Sequence, residues 1–262
     1  MKIAGSVALV TGANRGLGRS FVEVLLARGA AKVYAGARKT AELEDLVAAH
    51  GGKVVALPLD VTDQAQVEAA AKAAPDVTLL VNNAGVLEGA GLLEAGSVEP
   101  LQWELDVNVV GIGRMALAFA PLLEAAGANA GGAAMVNMLS VASLATVPHF
   151  GTYAASKMAA MALTQGLRCD LAEKGVEVFG IYAGFIDTGM IGFVTMDKTS
   201  PEEVASRALD GVEAGTPEID VDERSAMVRR RMREDPEAFT KEMWQRAADF
   251  RKNFPRDKRG RG

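Results

Sequence analysis

Short runs of β-branched and aliphatic residues alternate along the chain with longer, alanine-rich stretches whose apolar positions recur every three to four residues. The short runs predict strands at 7–10, 32–35, 53–57, 77–81, 133–137 and 177–182. The spacing between them predicts helices over 18–28, 40–50 and 64–74, a long helix ending before Ala126, and a helix over 152–173. Strand and helix taking turns, with strands apolar on both faces, means parallel strands covered by helices on both sides. The expected fold class is α/β, a single-domain doubly wound parallel sheet. Ligands of such sheets sit beyond the carboxyl ends of the strands, so chemistry is sought in the segments that follow them.

The 262 residues, 49% of them apolar, can fill one large core. No repeat or low-complexity linker divides them, and the Gly/Ala-rich stretch 125–132 reads as a surface loop. The net charge of −5 conceals an asymmetry, because from Arg224 onward 13 Lys/Arg face 6 Asp/Glu. Phe239, Met243, Ala247, Phe250 and Phe254 recur at helical spacing in this basic tail, which favours packing over nucleic-acid binding. The expected division is a catalytic domain over 1–224, including a substrate loop at 189–200, and an amphipathic helical tail over 225–262. A single cysteine, Cys169, and two histidines, His50 and His149, supply no disulfide framework and no metal cluster. No signal-peptide pattern and no uncharged apolar run of about 18 residues is present, which points to the cytoplasm and away from a membrane.

Candidate chemistry starts after the first strand, where Gly12, Asn14, Arg15, Gly16, Leu17 and Gly18 form a glycine-rich turn opening into a helix. Glycine lets backbone approach a ligand without a Cβ in the way, and a helix N-terminus offers free N–H groups to a pyrophosphate. The spacing is Gly-x-x-x-Gly-x-Gly. The second strand runs into Ala37-Arg38-Lys39, with no acid to meet an adenosine ribose and cations to meet a 2′-phosphate. With Arg15, this favours NADP(H) over NAD(H). Tyr153 and Lys157 are four apart on a predicted helix and share a face. A cation beside a phenol, together with an oxidised nicotinamide, favours the phenolate and brings an ordinary pKa near 10 toward working pH. Tyr153 then serves as general acid in one direction and general base in the other. Asn108 lies inside the long predicted helix, where asparagine is a mediocre helix former.

Over residues 5–190 the chain resembles the short-chain dehydrogenase/reductase family. The resemblance rests on the glycine loop, Asp60 in Leu59-Asp60-Val61, Asn82-Asn83-Ala84-Gly85, Asn108-Val109-Val110-Gly111, Ser140, Tyr153-Ala154-Ala155-Ser156-Lys157 and Ala183-Gly184-Phe185-Ile186-Asp187-Thr188, all in family order. It implies a Rossmann-type oxidoreductase. Asp60 would contact adenine and Val61 add a backbone contact; Asn82, Ala84 and Gly85 would pack beside the cofactor, while Asn83 also fits a mere strand cap. Ser140, preferred over Ser143 on spacing, would polarise a substrate carbonyl. Lys157 would also hold the nicotinamide ribose, and Asn108 would kink its helix and hold a water linking the lysine to solvent. Ile186 and Thr188 would meet the nicotinamide carboxamide, Gly184 being kept although the family's usual Pro-Gly reads Ala183-Gly184 here.

Leu87, Val141, His149, Phe150, Phe185 and residues 189–197 are the expected substrate contacts. They are mostly apolar with no arginine cluster, so a modest hydrophobic ketone, aldehyde or alcohol is expected; His149 reads either as substrate-orienting or as simply packed. Two rival functions remain, epimerisation or dehydration on a bound cofactor and a non-catalytic redox-sensing or scaffold role, beside an NAD(H)-dependent alcohol dehydrogenase. A homo-oligomer, dimer or tetramer, is expected through the helices at 101–124 and 152–173, unless the tail covers that face.

Overall fold

The computed structural model describes residues 1–88, 91–128, 132–146 and 149–253, the side chains of 247–253 excepted. Seven parallel strands form one sheet: β1 (Val7–Thr11), β2 (Lys32–Ala37), β3 (Val54–Pro58), β4 (Leu79–Asn82), β5 (Ala133–Met138), β6 (Val176–Tyr182) and β7 (Glu218–Asp220), in the order β3-β2-β1-β4-β5-β6-β7. In chain order the helices are α1 (Gly16–Ala27), α2 (Glu44–His50), α3 (Gln64–Ala73), the short α4 (Leu92–Ala95), α5 (Glu99–Leu105), α6 (Gly111–Gly127), α7 (Gly151–Leu171), α8 (Pro201–Glu213), α9 (Glu223–Glu234) and α10 (Pro236–Asn253).

The period-two alternation of β1 splits its side chains between two cores. Ala8 and Val10 pack with Phe21 and Leu25 of α1 and Val204 and Leu209 of α8, whereas Leu9 packs with Val67 of α3 and Met115, Phe119 and Leu123 of α6. Every side chain of β4 and β5 is buried, as expected for strands covered on both faces. Between them and α7 runs a buried polar chain. Asn82 Nδ2 donates to Asn137 Oδ1 at 2.8 Å, Asn137 Nδ2 to Thr164 Oγ1 at 3.0 Å, and Thr164 Oγ1 to the Ala160 carbonyl at 2.7 Å. The chain is satisfied from Asn82 Nδ2 onward, while Asn82 Oδ1 is buried without a hydrogen-bond partner among the described residues.

Three boundaries differ from the sequence pattern for local reasons. The long helix expected before Ala126 is interrupted by a π-helical turn, Asp106–Val110, centred on Asn108, and its last regular turn runs to Gly127 into the stretch read as a loop, of which 129–131 lie outside the described residues. The edge strand β7 was not expected, because three residues with one apolar side chain, Ile219, carry no strand signal. Ion pairs hold it instead, Arg168 to Glu218 and Arg229 to Asp220, each at 2.7 Å. The division expected after residue 224 falls in the first turn of α9, whose cap is Asp222. Of the tail's apolar stripe, Phe239 and Met243 pack with Ala145 and Val228, at the end of β5 and on α9; the side chains of Ala247, Phe250 and Phe254 lie outside the described residues.

The helical run Glu99–Gly127 is long and apolar enough to cross a membrane by length and composition alone, but Met115, Phe119 and Leu123 face the sheet. Val107 and Ile112 are buried too, whereas Val110 is 45% exposed and Leu117 79%. On α7, Met158, Met161, Leu163 and Leu167 are half-buried. An exposed leucine on a helix already covering a sheet needs another cover in a soluble assembly. Light scattering on the full chain is expected to give a dimer or tetramer, and Leu117→Glu to shift it toward monomer; a monomeric starting protein contradicts the expectation.

Candidate active site

The carboxyl ends of β1, β4, β5 and β6 converge on one edge of the sheet, and the glycine turn after β1 is shaped by contacts with β4. Thr11 Oγ1 accepts from the backbone N–H groups of Asn83 and Ala84 at 3.0 and 2.9 Å, while Asn83 Nδ2 donates to the Thr11 carbonyl at 2.9 Å. Asn83 thus caps strands, the plainer of its two readings. Gly16 has φ +53°, and a Cβ on Gly18 would stand 2.1 Å from the Gly12 carbonyl oxygen, so the loop and helix meet where no side chain fits. Helix α1, with Arg15 at its N-cap, has no side-chain cap, as is also true of α2, α5, α6 and α7. Its free N–H groups beside a Cβ-free cradle fit a dinucleotide pyrophosphate.

Around this cradle, Arg15 and Arg38 are exposed and form no ion pair among the described residues. Asn14 donates to Glu42 Oε2 at 2.6 Å, which places one carboxylate beside the loop. Asp60 is half-buried and one of its oxygens accepts from the Thr62 N–H and hydroxyl at 2.9 and 2.7 Å; Val61 beside it is buried. Gly85 lies where a Cβ would be 3.2 Å from Asn108 Oδ1 and 3.6 Å from Lys157 Nζ, joining the end of β4 to the residues below. Asn82 is different, since its amide turns into the buried chain with Asn137 rather than to the open edge.

Ser140, two residues beyond the end of β5, caps a 3-10 turn, Val141–Ser143. Its Oγ accepts from Ala142 N at 3.1 Å, and its own N–H donates to Ser143 Oγ at 3.2 Å. Ser143, the nearby competitor, is thereby spent on holding Ser140 and stays buried. Ser140 and Tyr153 both line a cavity of about 520 Å³. A hydrogen bond joins them, working against a stronger effect of burial that pushes the phenol up to about 12, with the Glu104 carboxylate adding to the rise. The cation's expected pull toward phenolate is not the ruling influence in the cofactor-free chain: desolvation outweighs it. Lys157, nearly buried, donates to the Met138 carbonyl at 2.9 Å and lies 5.8 Å from the centre of the Tyr153 ring. Burial brings its ammonium down to about 8, partly offset by Glu104.

Asn108 is fully buried on the π-turn, a kind of irregularity that recurs at functional sites. Its Oδ1 accepts from Val86 N at 2.9 Å and its Nδ2 donates to the Val86 carbonyl and to Ser156 Oγ, both at 3.0 Å. The amide therefore fixes the loop after β4 against α7. One turn earlier on the same face, Glu104 is also fully buried and accepts from the Glu88 N–H at 2.9 Å; burial holds its carboxyl above the usual range. Sequence reasoning missed Glu104, although an acid four residues before Asn108 on an inward face was a usable signal.

Of the expected substrate contacts, Leu87, Val141, Phe150, Phe185 and the 189–197 segment, through Met190, Ile191, Thr195 and Met196, do line the cavity, together with Gly184, Ile186 and Thr188. His149 does not: its ring pairs with Glu94 Oε2 at 3.1 Å and its backbone has φ +67°. The expectation of a chamber free of arginine is overturned, because α9 and α10 form one wall and contribute Arg224, Arg231 and Arg246. Those residues are some 40 to 60 positions beyond the β6 loop, and the bond from the Gly184 N–H to Asp222 and the packing of Phe239 and Val228 bring them back.

A glycine cradle at the switch point of a doubly wound sheet, beside a serine and a tyrosine on one cavity wall with a buried lysine a helical turn further on, points to a dinucleotide-dependent class of protein. A family profile described as short chain dehydrogenase matches residues 6–230. The chain is 36% identical over 202 residues to the glycine betaine reductase ATRR of Emericella nidulans, covering 74% of this chain but 15% of that much longer protein. It is 33% identical over 218 residues to a 3-alpha-(or 20-beta)-hydroxysteroid dehydrogenase of Mycobacterium bovis, covering 79% and 77% of the two. Among solved structures, a short chain dehydrogenase from Burkholderia cenocepacia in complex with NADP superposes with TM-score 0.87 at 37% identity, covering 93% of this chain and 99% of that one. A short chain dehydrogenase/reductase from Burkholderia phymatum in complex with NAD gives 0.80 at 29%, covering 91% and 96%. The chain belongs to the short-chain dehydrogenase/reductase family of oxidoreductases, whose members bind nicotinamide dinucleotides.

Replacing Gly18 by Ala puts a methyl group into the Gly12 carbonyl. NADPH affinity, read by fluorescence titration, is expected to fall at least about tenfold with the circular-dichroism spectrum retained, since packed backbone does not yield by so much without moving the loop. Unchanged affinity would mean the cradle lies elsewhere.

Proposed function

We propose that the protein is an NADP(H)-dependent oxidoreductase that interconverts a carbonyl compound and its alcohol, working as a homo-oligomer paired through the face that carries Leu117. The observation that carries this reading is the placing of Ser140 and Tyr153 together on the cavity wall, with buried Lys157 one helical turn further on. The dinucleotide, when bound by Gly12, Gly16, Gly18 and the N-terminus of α1, supplies hydride chemistry at its nicotinamide. Ser140 donates a hydrogen bond to the substrate oxygen and stabilises the charge developing there. Tyr153 gives its phenolic proton to that oxygen in reduction and takes it back in oxidation. Lys157 offsets the phenolate charge left behind, and the phenol's high proton affinity in the free chain keeps Tyr153 protonated and ready for reduction. Asn108 and Ser156 position the loop and helix on which these groups stand.

The 2′-phosphate preference rests on Arg15 and Arg38, on the absence of an acid where β2 ends at Ala37, and on the NADP-bound relative. The NAD-bound relative and the carboxylate of Glu42 keep NAD(H) as the second reading. Changing Arg15 and Arg38 together to Gln is expected to weaken NADPH by at least about tenfold while NADH changes little, because each charge-assisted contact is worth roughly 1.5–3 kcal/mol and only the phosphate makes it. Equal losses would assign the two arginines another role.

Tyr153→Phe is expected to cut turnover of a carbonyl panel at least about a hundredfold, with NADPH affinity nearly unchanged. In the unsubstituted enzyme, Lys157 is a cation below about pH 8 and loses its proton above it, while Tyr153 keeps its own up to about 12. The rate kcat/KM for reduction should therefore hold below that point and decline as pH rises through it. Near-normal turnover by the phenylalanine variant, or a profile flat into strong alkali, would sink the mechanism.

A further inference from the structure

We infer that Arg224 is a binding residue for an anionic group, a carboxylate, carried by an otherwise apolar substrate. The inference rests on the reading of the cavity beside Ser140 and Tyr153 as the substrate site. It narrows the substrate class from a plain hydrophobic carbonyl compound to an acid-bearing one.

Arg224 is held in place from both directions. Asp222 accepts from the Gly184 N–H at 2.6 Å and, as the cap of α9, from the Ser225 N–H at 2.7 Å, so the start of this helix is tied to the loop after β6. The arginine stem lies over Gly184, where a Cβ would come within 2.7 Å of its Cδ, and its guanidinium sits 4.8 Å from the centre of the Phe185 ring. Stacking of this kind fixes the plane of the fork and leaves its edge N–H groups to find a partner in that plane.

The three arginines of this wall differ in what they hold. Arg231 and Arg246 both reach Glu242 at 2.6 Å, and Arg229 of α9, turned to the sheet over the Tyr182 ring, reaches Asp220 at 2.7 Å. Arg224 is half-buried, lines the cavity and has no carboxylate within 4 Å among the described residues, the Phe185 ring being its recorded partner. With three guanidiniums and one carboxylate, the wall carries excess positive charge. The remaining lining is largely aliphatic and aromatic, as at Leu87, Val141, Phe150, Ile191 and Met227. A partly desolvated guanidinium without an acid is costly, and a planar, bidentate carboxylate is the group that matches it. An apolar body would then fill the chamber while the carbonyl meets Ser140 and Tyr153.

The test is binding, which does not require turnover. Hexanoate, octanoate and hydrocinnamate, each beside its primary amide, are titrated calorimetrically into the full chain saturated with NADP+. At least one acid is expected to bind about tenfold or more tightly than its amide, and Arg224→Gln to bring that ratio within about threefold, as loss of one charge-assisted contact implies. Arg224→Lys should restore part of the preference, and NADPH affinity should stay within about twofold in both variants, because an interaction made only with substrate leaves the cofactor untouched. No preference for any acid, or a preference that survives in Arg224→Gln, overturns the proposal. So does a matching loss of NADPH affinity, which would give Arg224 to the cofactor. If the preference depends on Arg224 but no oxo acid is reduced with either dinucleotide, the redox reading fails and the anion site stands.

Discussion

Thr11 and the Asn83-Ala84 backbone meet where β1 and β4 lie side by side, the point at which the sheet reverses its order. The crevice of a doubly wound sheet opens at such a reversal, because the connections on its two sides lead to helices on opposite faces. Two strands diverging there would leave the backbone groups at their ends without partners. The Thr11 hydroxyl and the Asn83 amide supply those partners, and in doing so they set the glycine turn against β4. Everything downstream is referred to that contact: Gly85 leaves room where a Cβ would crowd Asn108 and Lys157, Asn108 holds Val86 and Ser156, and the helix so placed brings Tyr153 to the cavity wall that Ser140 shares.

Burial governs the chemistry of these groups more than their mutual attraction does. The ammonium and the carboxyl of Glu104 are taken from water, the phenol stands half-buried on the cavity wall beside them, and each is driven toward its neutral form. A free chain in that condition keeps the tyrosine protonated and leaves the lysine close to its point of titration. Charge arriving in the crevice then has a large effect, because little water is present to screen it. Glu104 works against phenolate formation and in favour of the ammonium, so a single buried carboxyl acts on both members of the pair with opposite consequences for reduction.

The chain's basic end belongs to the same cavity. Asp222 fastens α9 to Gly184, and Phe239 carries α10 back over Ala145 and Val228. The basic tail, expected to pack through its apolar stripe, thus also forms a wall of the chamber, where two guanidiniums share the single carboxylate of Glu242 and Arg224 has none within 4 Å among the described residues.

Periodicity alone determined the α/β class, six of the seven strands and most helices, because a strand buried on both faces and a helix buried on one leave repeating marks that need no partner to be read. The motif residues were legible in the same way, since the glycine turn and the Tyr153/Lys157 pair are local in sequence. Other features are relations between distant segments. β7 exists because β6 and two ion pairs hold it, Ser143 Oγ is turned to the Ser140 N–H, and Asn82 Nδ2 turns inward because Asn137 waits there. The direction of the Tyr153 shift and the arginines on the chamber wall depend on burial and on contacts spanning up to a hundred residues. Those are set only when the chain closes on itself, because desolvation and unpaired charge are properties of a surrounding, not of a residue.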